Sequence, residues 1–186
     1  MIDARSPYSP LEAPWARFCP RCGEPRVAVN AERRFDCAAC GFRLFLNVAT
    51  GVAAVLRCGE RIAWIERGHD PGKGLLDWPG GFVDPAENLE EALLRELHEE
   101  LGLNVAAPRY LCSQPNFYPY AGVNYRTVDV FFGFDLPALP ASRPNAEVSA
   151  VHWLRPAEVL PAQIAFQSVR RAWAWWCEAY SSKDLK

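Results

Sequence analysis

Long apolar runs, basic clusters and internal repeats are all missing from this chain of 186 residues. No apolar segment approaches the ~20 residues that cross a bilayer, so no membrane-spanning helix is expected. Lys and Arg never form a run and the formal net charge is −2, so nothing suggests a broad nucleic-acid surface. Residues 1–16 are rich in proline but lack the basic start and apolar centre of a signal peptide. We therefore expect a flexible leader on a cytoplasmic protein.

The residues that are abundant indicate a folded α/β protein. Half of them are hydrophobic and 23% are charged, as is typical of globular domains. We expect a small cysteine-bearing segment at 17–46 and one larger domain at 47–186, in which strand and helix patterns interleave. The predicted strands span residues 51–56, 61–67, 110–114, 127–134 and 151–154. The second predicted helix spans 161–180, packed down by Trp173, Trp175 and Trp176.

Four of the seven cysteines form two matched pairs, Cys19-Pro-Arg-Cys22 and Cys37-Ala-Ala-Cys40, each followed by glycine. Each pair brings two thiolates together from a tight turn, and two such turns supply the four sulfur ligands of a structural Zn²⁺ site. A redox pair or disulfides are the alternatives, but two matched pairs favour zinc. A segment of about 30 residues has too little core to fold alone, so the metal is expected to hold this zinc ribbon together.

A first helix is predicted between Leu89 and Leu101. Asn88 and Glu91 form a capping-box pattern at its start, and Gly102 is a typical stop. Its leucines recur at helical spacing and form an apolar stripe, which predicts that this face is buried.

Three glutamates of that helix lie close to the apolar stripe. At about 100° per residue, Glu100 falls inside the stripe, Glu96 on its edge and Glu99 beyond it. A buried carboxylate needs a compensating cation or proton, and ligands that offer only oxygen suit Mg²⁺ or Mn²⁺. The alternative is that the helix rotates and all three carboxylates lie in water beside Arg95.

The residues around the helix form a longer pattern that begins after Pro79-Gly80. It reads Gly81, five residues, Glu87, seven residues, Arg95-Glu96-Leu97, one residue, Glu99-Glu100, one residue, Gly102-Leu103. Over its 23 residues it matches the Nudix box at each defining position, so the chain resembles a Nudix hydrolase. The likeness covers roughly residues 47–180, including the approach to the box from Arg67 to Gly74 and from Asp77 to Gly81.

The resemblance implies a Nudix α/β/α sandwich around a mixed sheet. It also implies hydrolysis of a nucleoside diphosphate linked to another moiety. It assigns the catalytic Mg²⁺ or Mn²⁺ to Gly80, Glu87, Glu96, Glu99 and Glu100. Glu96 is also a candidate base, and Arg95 is expected to orient the glutamates by ion pairing. In the family the loop that holds Glu147 often carries a further ligand or base; a surface glutamate is the alternative, and Asp129 is a weaker rival.

The substrate is suggested by a second resemblance. A zinc ribbon ahead of a Nudix domain resembles the NADH pyrophosphatase and ADP-ribose pyrophosphatase type. NADH pyrophosphatases carry Ser-Gln-Pro-Trp-Pro-Phe-Pro after the box, and the corresponding stretch here begins Ser113-Gln114-Pro115 and ends at Pro119. Asn116-Phe117 replace the Trp-Pro pair, so ADP-ribose or a nucleotide sugar fits as well as NADH.

The expected substrate contacts come from the same stretch and from the box. They are Arg67, Gly81, Phe117, Tyr118, Tyr120 and Glu147. The aromatic side chains of this stretch, together with Tyr125, would stack on a base or nicotinamide; the alternative is that they pack a surface loop.

Two other classes of function remain open. A Nudix fold can bind a nucleotide without cutting it, although an eroded box would be expected there. An RNA-binding or RNA-end-processing protein could use the ribbon as its grip, since the ribbon is mildly basic. Its arginines are Arg21, Arg26, Arg33, Arg34 and Arg43. A nucleotide is the expected partner, a nucleic acid is not, and a homodimer is suggested by resemblance alone; the three histidines receive no role.

Overall fold

The structure, a computed structural model, describes residues 18–25, 27–29 and 34–181. The expected leader at 1–16 lies outside them, as do Arg26 and Arg33. The chain divides into two compact units, 1–48 and 49–186. No helix in the described ranges is long and apolar enough to cross a membrane.

The first unit is a small antiparallel sheet. Its strands are β1 (Val27–Val29), β2 (Arg34–Cys37) and β3 (Arg43–Phe45), in the order β1-β2-β3. Among the described residues of this unit, the buried core consists of Cys19, Phe35 and Cys37. So small a core cannot hold a fold by apolar burial alone, which leaves the stability of the unit to its cysteines.

The second unit is built on a mixed sheet. Its strands are β4 (Ala49–Cys58), β5 (Arg61–Arg67), β6 (Leu76–Asp77), β7 (Gly80–Phe82), β8 (Arg109–Tyr120), β9 (Val123–Asp135) and β10 (Val148–Leu154). Its α-helices are α1 (Leu89–Leu101) and α2 (Gln167–Ser181). The main strand order is β10-β5-β4-β9-β8, while β6 pairs with β5 and β7 with β4. Strands β4 and β9 run parallel and the other pairs antiparallel, which makes the sheet mixed as predicted.

The two α-helices cover opposite faces of this sheet. Alternate residues of β4 point to opposite sides, so Ala54 packs with Leu93 and Leu97 of α1. Val55, one residue further along, packs instead with Trp173 of α2. This arrangement confirms the predicted α/β/α sandwich.

Helix α1 begins and ends at the predicted residues. The Asn88 side chain accepts the Glu91 backbone N–H at 2.8 Å, and the Glu91 carboxylate accepts the Asn88 N–H at 2.9 Å. Gly102 ends the helix in the left-handed region, with φ 67°. The rotation of α1 is therefore fixed at both ends.

Strands β8 and β9 are longer than predicted. The predicted strand at 110–114 stops before Pro115, whereas β8 continues through Pro115 and Pro119 to Tyr120. Proline is tolerated because β8 is an edge strand of the main order, with one side free of a ladder. Ala121 and Gly122, both at positive φ, then form the tight turn into β9.

The second predicted helix was placed too early in the chain. Residues 161–163 form a single 3₁₀ turn, and the α-helix starts only at Gln167. Ile164 is fully buried and forms a bridge with Leu76, which holds the intervening backbone extended. Trp173 and Trp176 are buried as predicted, but Trp175 is 38% exposed because it points away from their face of α2.

Candidate active site

A cleft of about 300 Å³ opens in the second unit, at the edge where β7, α1 and the loop before β10 meet. Six acidic residues line it: Asp77, Asp84, Glu96, Glu100, Asp129 and Glu147. So many acids in one cleft repel each other, and a bound cation would relieve that repulsion.

Glu100 is buried in the wall of this cleft, as the helical spacing predicted. Only 6% of the residue is exposed, and its Oε2 accepts the Gly80 backbone N–H at 2.8 Å. Burial raises the pKa of its carboxyl well above the usual value, and the carboxylates of Glu96, Asp77 and Glu147 raise it further, against the hydrogen bond from Gly80. A divalent ion would offset this accumulated negative charge.

Arg95 forms hydrogen bonds with three other glutamates. Its guanidinium donates to both oxygens of Glu87, at 3.1 and 2.7 Å, to Glu96 at 2.9 Å and to Glu99 at 3.1 Å. The hydrogen bonds to Glu87 above all raise the pKa of Arg95, so it stays cationic. It also donates to the Phe82 carbonyl at 3.0 Å, which ties the loop after β7 to α1. Arg95 is thus in contact with three of the glutamates that it was expected to orient.

The two glutamates next to Arg95 differ in burial. The Glu96 side chain is 15% exposed and lines the cleft, and burial raises the pKa of its carboxyl despite Arg95. The Glu99 side chain is 53% exposed and does not line the cleft. The structure thus brings Glu96 and Glu100 together, with Glu99 on the outer side of Arg95.

Gly80 and Gly81 allow the close approach that places these acids. A Cβ on Gly80 would lie 2.0 Å from the Val52 carbonyl oxygen, and the φ of Gly80 is 150°. A Cβ on Gly81 would lie 2.2 Å from Glu96 Oε1. Gly80 therefore lets β7 pair tightly with β4, and Gly81 makes room for the Glu96 carboxylate.

Glu147 reaches the cleft from the loop before β10. Its carbonyl accepts the Gly68 N–H at 2.8 Å, and its own N–H is accepted by Asn145 Oδ1 at 2.8 Å. The Asn145 N–H in turn donates to the Glu100 carbonyl at 3.0 Å, which fixes this loop beside the end of α1. Glu147 is an exposed residue whose backbone these hydrogen bonds fix at the wall of the cleft.

Arg67 lines the cleft but is already paired. It donates to Asp77 at 3.1 Å and to the Pro71 carbonyl at 2.7 Å, and its guanidinium lies 4.8 Å from the centre of the Phe166 ring. Burial raises the pKa of Asp77 to about 6, against the attraction of Arg67. Arg67 therefore presents a cation whose position is set by Asp77.

Only one of the predicted aromatic contacts on β8 reaches the cleft. Tyr118 lines the cleft, and its ring centre lies 5.5 Å from that of Phe166 and 5.4 Å from that of Phe82. Phe117 and Tyr120 are 38% and 54% exposed and do not line it. The structure therefore places Tyr118, but not Phe117 or Tyr120, against the cleft.

In the first unit the four predicted zinc ligands converge. The Sγ atoms of Cys19, Cys22, Cys37 and Cys40 all lie within 4.8 Å of one another. The distance is 3.7 Å between Cys19 and Cys40 and also between Cys22 and Cys37. A tetrahedral ion with Zn–S bonds of about 2.3 Å holds its sulfurs about 3.8 Å apart, so the cluster has the right size for zinc. The separation is too long for disulfide bonds of about 2 Å.

A comparison with known protein families decides the identity of the fold. Residues 46–175 match the NUDIX domain. This chain belongs to the Nudix family. The match includes the whole box and every acid that lines the cleft, and Nudix hydrolases generally use divalent metal ions.

Relatives of this Nudix protein include two bacterial enzymes named NAD-capped RNA hydrolase NudC. The Deinococcus radiodurans protein is 28% identical over 158 residues, which are 83% of this chain and 54% of that protein. The Stutzerimonas stutzeri protein is 30% identical over 105 residues, 56% of this chain and 38% of that protein. The matches thus cover about half, or less, of the length of these relatives.

Solved Nudix structures have the same fold. A hydrolase from Nitrosomonas europaea superimposes with a TM-score of 0.65 at 20% identity, over 89% of this chain and 93% of its own. The Nudix domain of Shewanella oneidensis NrtR, solved in complex with ADP ribose, has a TM-score of 0.59 at 28% identity, over 71% and 89% of the two chains.

The sequence analysis assigned no role to several polar residues in and beside this Nudix cleft. Asp77, Asn116, Thr127 and Ser168 are buried polar residues. The first three line the cleft, and Ser168 donates to Asp129 beside them. Their neighbours come from distant parts of the chain, so only strand pairing and helix packing bring them together. Strand alternation did contain one signal, because Asn116 must share the face of Tyr118.

Proposed function

We propose that the protein hydrolyses the diphosphate bond of a nucleoside diphosphate linked to another moiety, with Mg²⁺ or Mn²⁺ as cofactor. The observation that carries this proposal is the burial of the Glu96 and Glu100 carboxylates in one cleft that they share with Glu147. Burial raises the pKa of both carboxyls, and the Glu96 carboxylate raises that of Glu100 further, so the charged pair is costly unless a cation joins it.

The donor atoms of the cleft are of the kind that such an ion prefers. Glu96, Glu100 and Glu147 offer only oxygen, which suits Mg²⁺ and Mn²⁺ rather than softer metals. Glu99 and the Gly80 carbonyl are further candidate ligands, as the Nudix resemblance implies, and Glu87 would act through Arg95. When bound, the ion supplies charge neutralisation at the diphosphate and a water of lowered pKa.

The protein's own residues supply position and proton transfer. Arg95 holds Glu96 in place, so that this carboxylate is available as the candidate base for the attacking water. Glu147 stands across the cleft as an alternative base. The Arg67 cation is placed to meet the anionic substrate, and the Tyr118 ring offers a face for its planar group. Most of the rate enhancement would come from such positioning and charge compensation.

Hydrolysis of ADP-ribose and NADH with and without Mg²⁺ or Mn²⁺ tests this function. Glu100→Gln keeps an acceptor for the Gly80 N–H and removes the charge, so we expect turnover to fall at least ~100-fold with the fold intact. The matched control is Glu90→Gln, an exposed glutamate of the same helix, which should retain wild-type turnover. Wild-type turnover in Glu100→Gln at saturating metal would rule out the assignment.

A second candidate substrate is the capped end of an RNA. The NudC relatives are named for NAD-capped RNA, and this weighs against our expectation that a nucleic acid is not a partner. If this chain acts on such ends, NAD-capped RNA should be cleaved and its affinity should fall steeply with salt. Equal turnover of free NAD and capped RNA at all salt concentrations would favour the small nucleotide.

A non-catalytic role would be recognised by the same assays. The NrtR Nudix domain was solved with ADP ribose bound, so binding of ADP-ribose without cleavage would favour a sensor role for this chain.

For the first unit we propose that Zn²⁺ occupies the four-cysteine cluster in a structural role, because four thiolates leave no open position for chemistry. The predicted homodimer stays a prediction, which sedimentation analysis would test.

A further inference from the structure

Asn116 is a buried amide whose oxygen lacks a partner. Only 3% of the residue is exposed, and it lines the cleft from β8. Within the described part of the chain, its Oδ1 finds no hydrogen-bond donor. A buried acceptor without a donor destabilises the folded protein, so such an atom at the wall of a ligand cleft points to a donor that arrives with the ligand.

The orientation of this amide is set by Asp129. The amide of Asn116 donates to the Asp129 carboxylate, which also accepts Thr127 Oγ1 at 2.7 Å and Ser168 Oγ at 2.6 Å. If the amide were flipped, its oxygen would face the Asp129 carboxylate, and neither group could donate a hydrogen bond. The nitrogen therefore faces Asp129, and Oδ1 has no donor.

Three elements hold this cluster in place. Asn116 on β8 and Thr127 on β9 are direct cross-strand partners, and Ser168 belongs to α2. On the parallel neighbour β4, a Cβ on Gly51 would lie 2.9 Å from Asp129 Oδ1, so the glycine leaves space for the carboxylate. The acceptor is therefore held rigidly rather than being free to turn toward another group.

The surroundings of Oδ1 suit a planar ring. Side chains two residues apart on a strand share one face, so Asn116 and Tyr118 stand side by side on β8. The Tyr118 ring lies 5.5 Å from Phe166, which also lines the cleft. A ring stacked on Tyr118 would carry its substituents toward the Asn116 oxygen.

We propose that Asn116 Oδ1 accepts a hydrogen bond from an amino group on a planar ring of the substrate. This inference takes its substrate class from the proposed function and narrows that class to nucleotides whose ring carries an NH₂ group. In ADP-ribose and NAD two groups offer such an NH₂: the exocyclic amine of adenine and the carboxamide of nicotinamide. The place where this chain departs from the NADH pyrophosphatase array thus becomes its site of ring selection.

Two substrate pairs test the proposal. ADP-ribose is compared with its hypoxanthine counterpart, in which a carbonyl replaces the adenine amine. NAD is compared with its nicotinic acid counterpart, in which a carboxylate replaces the carboxamide. Each pair is assayed with the wild type, with Asn116→Leu, and with Asn124→Leu, an exposed asparagine of β9, as the matched control.

We expect one pair to show a preference for the amino form of at least about 10-fold in kcat/KM in the wild type and in Asn124→Leu. In Asn116→Leu that preference should fall below about 3-fold, because the acceptor is gone. The pair that responds tells which ring is held. No preference in the wild type, or a preference that survives in Asn116→Leu, would overturn the proposal and leave Oδ1 to a buried water.

Binding measured by calorimetry in EDTA keeps this inference separate from hydrolysis. If no compound is cleaved but the Asn116-dependent preference appears in the dissociation constants, the proposed reaction fails and the recognition site stands. If cleavage requires metal but does not depend on the amino group, the proposed reaction stands and the recognition site fails. Should Asn116→Leu fail to fold, Asn116→Ala replaces it, and the same loss of the preference is required of that variant.

Discussion

The Gly80 backbone N–H donates to Glu100 Oε2 at 2.8 Å and joins the strand before the Nudix loop to the last turn of its helix. Burial raises the pKa of this carboxyl well above the usual value, and the nearby carboxylates of Glu96, Asp77 and Glu147 raise it further. Metal-free protein therefore holds an electrostatic strain that a divalent ion would release.

Metal binding should raise the melting temperature through Glu100. At ~100 times its dissociation constant, an ion that binds only the folded state stabilises by about 2.7 kcal/mol, which corresponds to a shift of several degrees. We expect Mg²⁺ or Mn²⁺ to give this shift in the wild type and less than half of it in Glu100→Gln. Metal-free Glu100→Gln should melt at a higher temperature than metal-free wild type, because a buried charge is removed. Equal shifts in both proteins would contradict the assignment.

The two neighbouring glycines should respond differently to alanine. Gly80→Ala puts a methyl group against the Val52 backbone at a φ that side chains avoid, so we expect a loss of at least about 2 kcal/mol in the free energy of unfolding. Gly81→Ala would meet the carboxyl end of the Glu96 side chain rather than backbone and would displace it, so the fold should survive while turnover falls at least ~10-fold. Urea unfolding and steady-state kinetics on the same preparations distinguish the two outcomes.

Arg95 should act by position and not by charge alone. Arg95→Lys keeps the charge but cannot bind both oxygens of Glu87 while also reaching Glu96, so we expect kcat to fall at least ~10-fold with little change in KM. Arg95→Met should be no more than a few-fold worse than the lysine variant. Full activity in Arg95→Lys would show that a single point charge is sufficient.

Asp77 should make stability depend on pH in a defined direction. Its folded pKa of about 6 lies above the usual 3.8, so the folded state favours the protonated form. Its stabilising contribution is complete below about pH 4 and is lost as pH rises through 6. Relative to Asp77→Asn, the wild type should gain up to about 2 kcal/mol in the free energy of unfolding between pH 7 and pH 4. Glu60→Gln, whose side chain is 84% exposed, should track the wild type.

Zinc should be measurable in the purified protein and tied to the paired cysteines. We expect about one Zn²⁺ per chain by elemental analysis, falling close to zero in Cys37→Ser, since three thiolates bind more weakly than four. Cys58→Ser removes a thiol outside the cluster and should keep the zinc. A wild-type protein that is folded in its first unit and free of zinc would refute the structural role.

Much of the candidate site follows from local rules. The caps of α1 fix its rotation, and with its rotation fixed, the spacing of Glu96, Glu99 and Glu100 predicts which of them is buried. Each cysteine pair likewise places its two sulfur atoms through a turn of only a few residues, so this part of the cluster also follows from local sequence. The local patterns gave wrong element bounds where contacts with distant parts of the chain determine them. Strand β8 extends through two prolines because it is an edge strand, and α2 starts late because Ile164 pairs with Leu76.

By itself, then, the sequence determined the Nudix box, the helix that presents its acids and the four-sulfur cluster, since each is written in residues a few positions apart. The tertiary structure alone decided that Glu147 joins Glu100, that Arg67 is held by Asp77, and that Asn116 donates to Asp129 with its oxygen left over. These contacts join residues from separate strands and helices, and no local spacing encodes them. They exist only because the sheet pairs β8 with β9 and α2 packs across it.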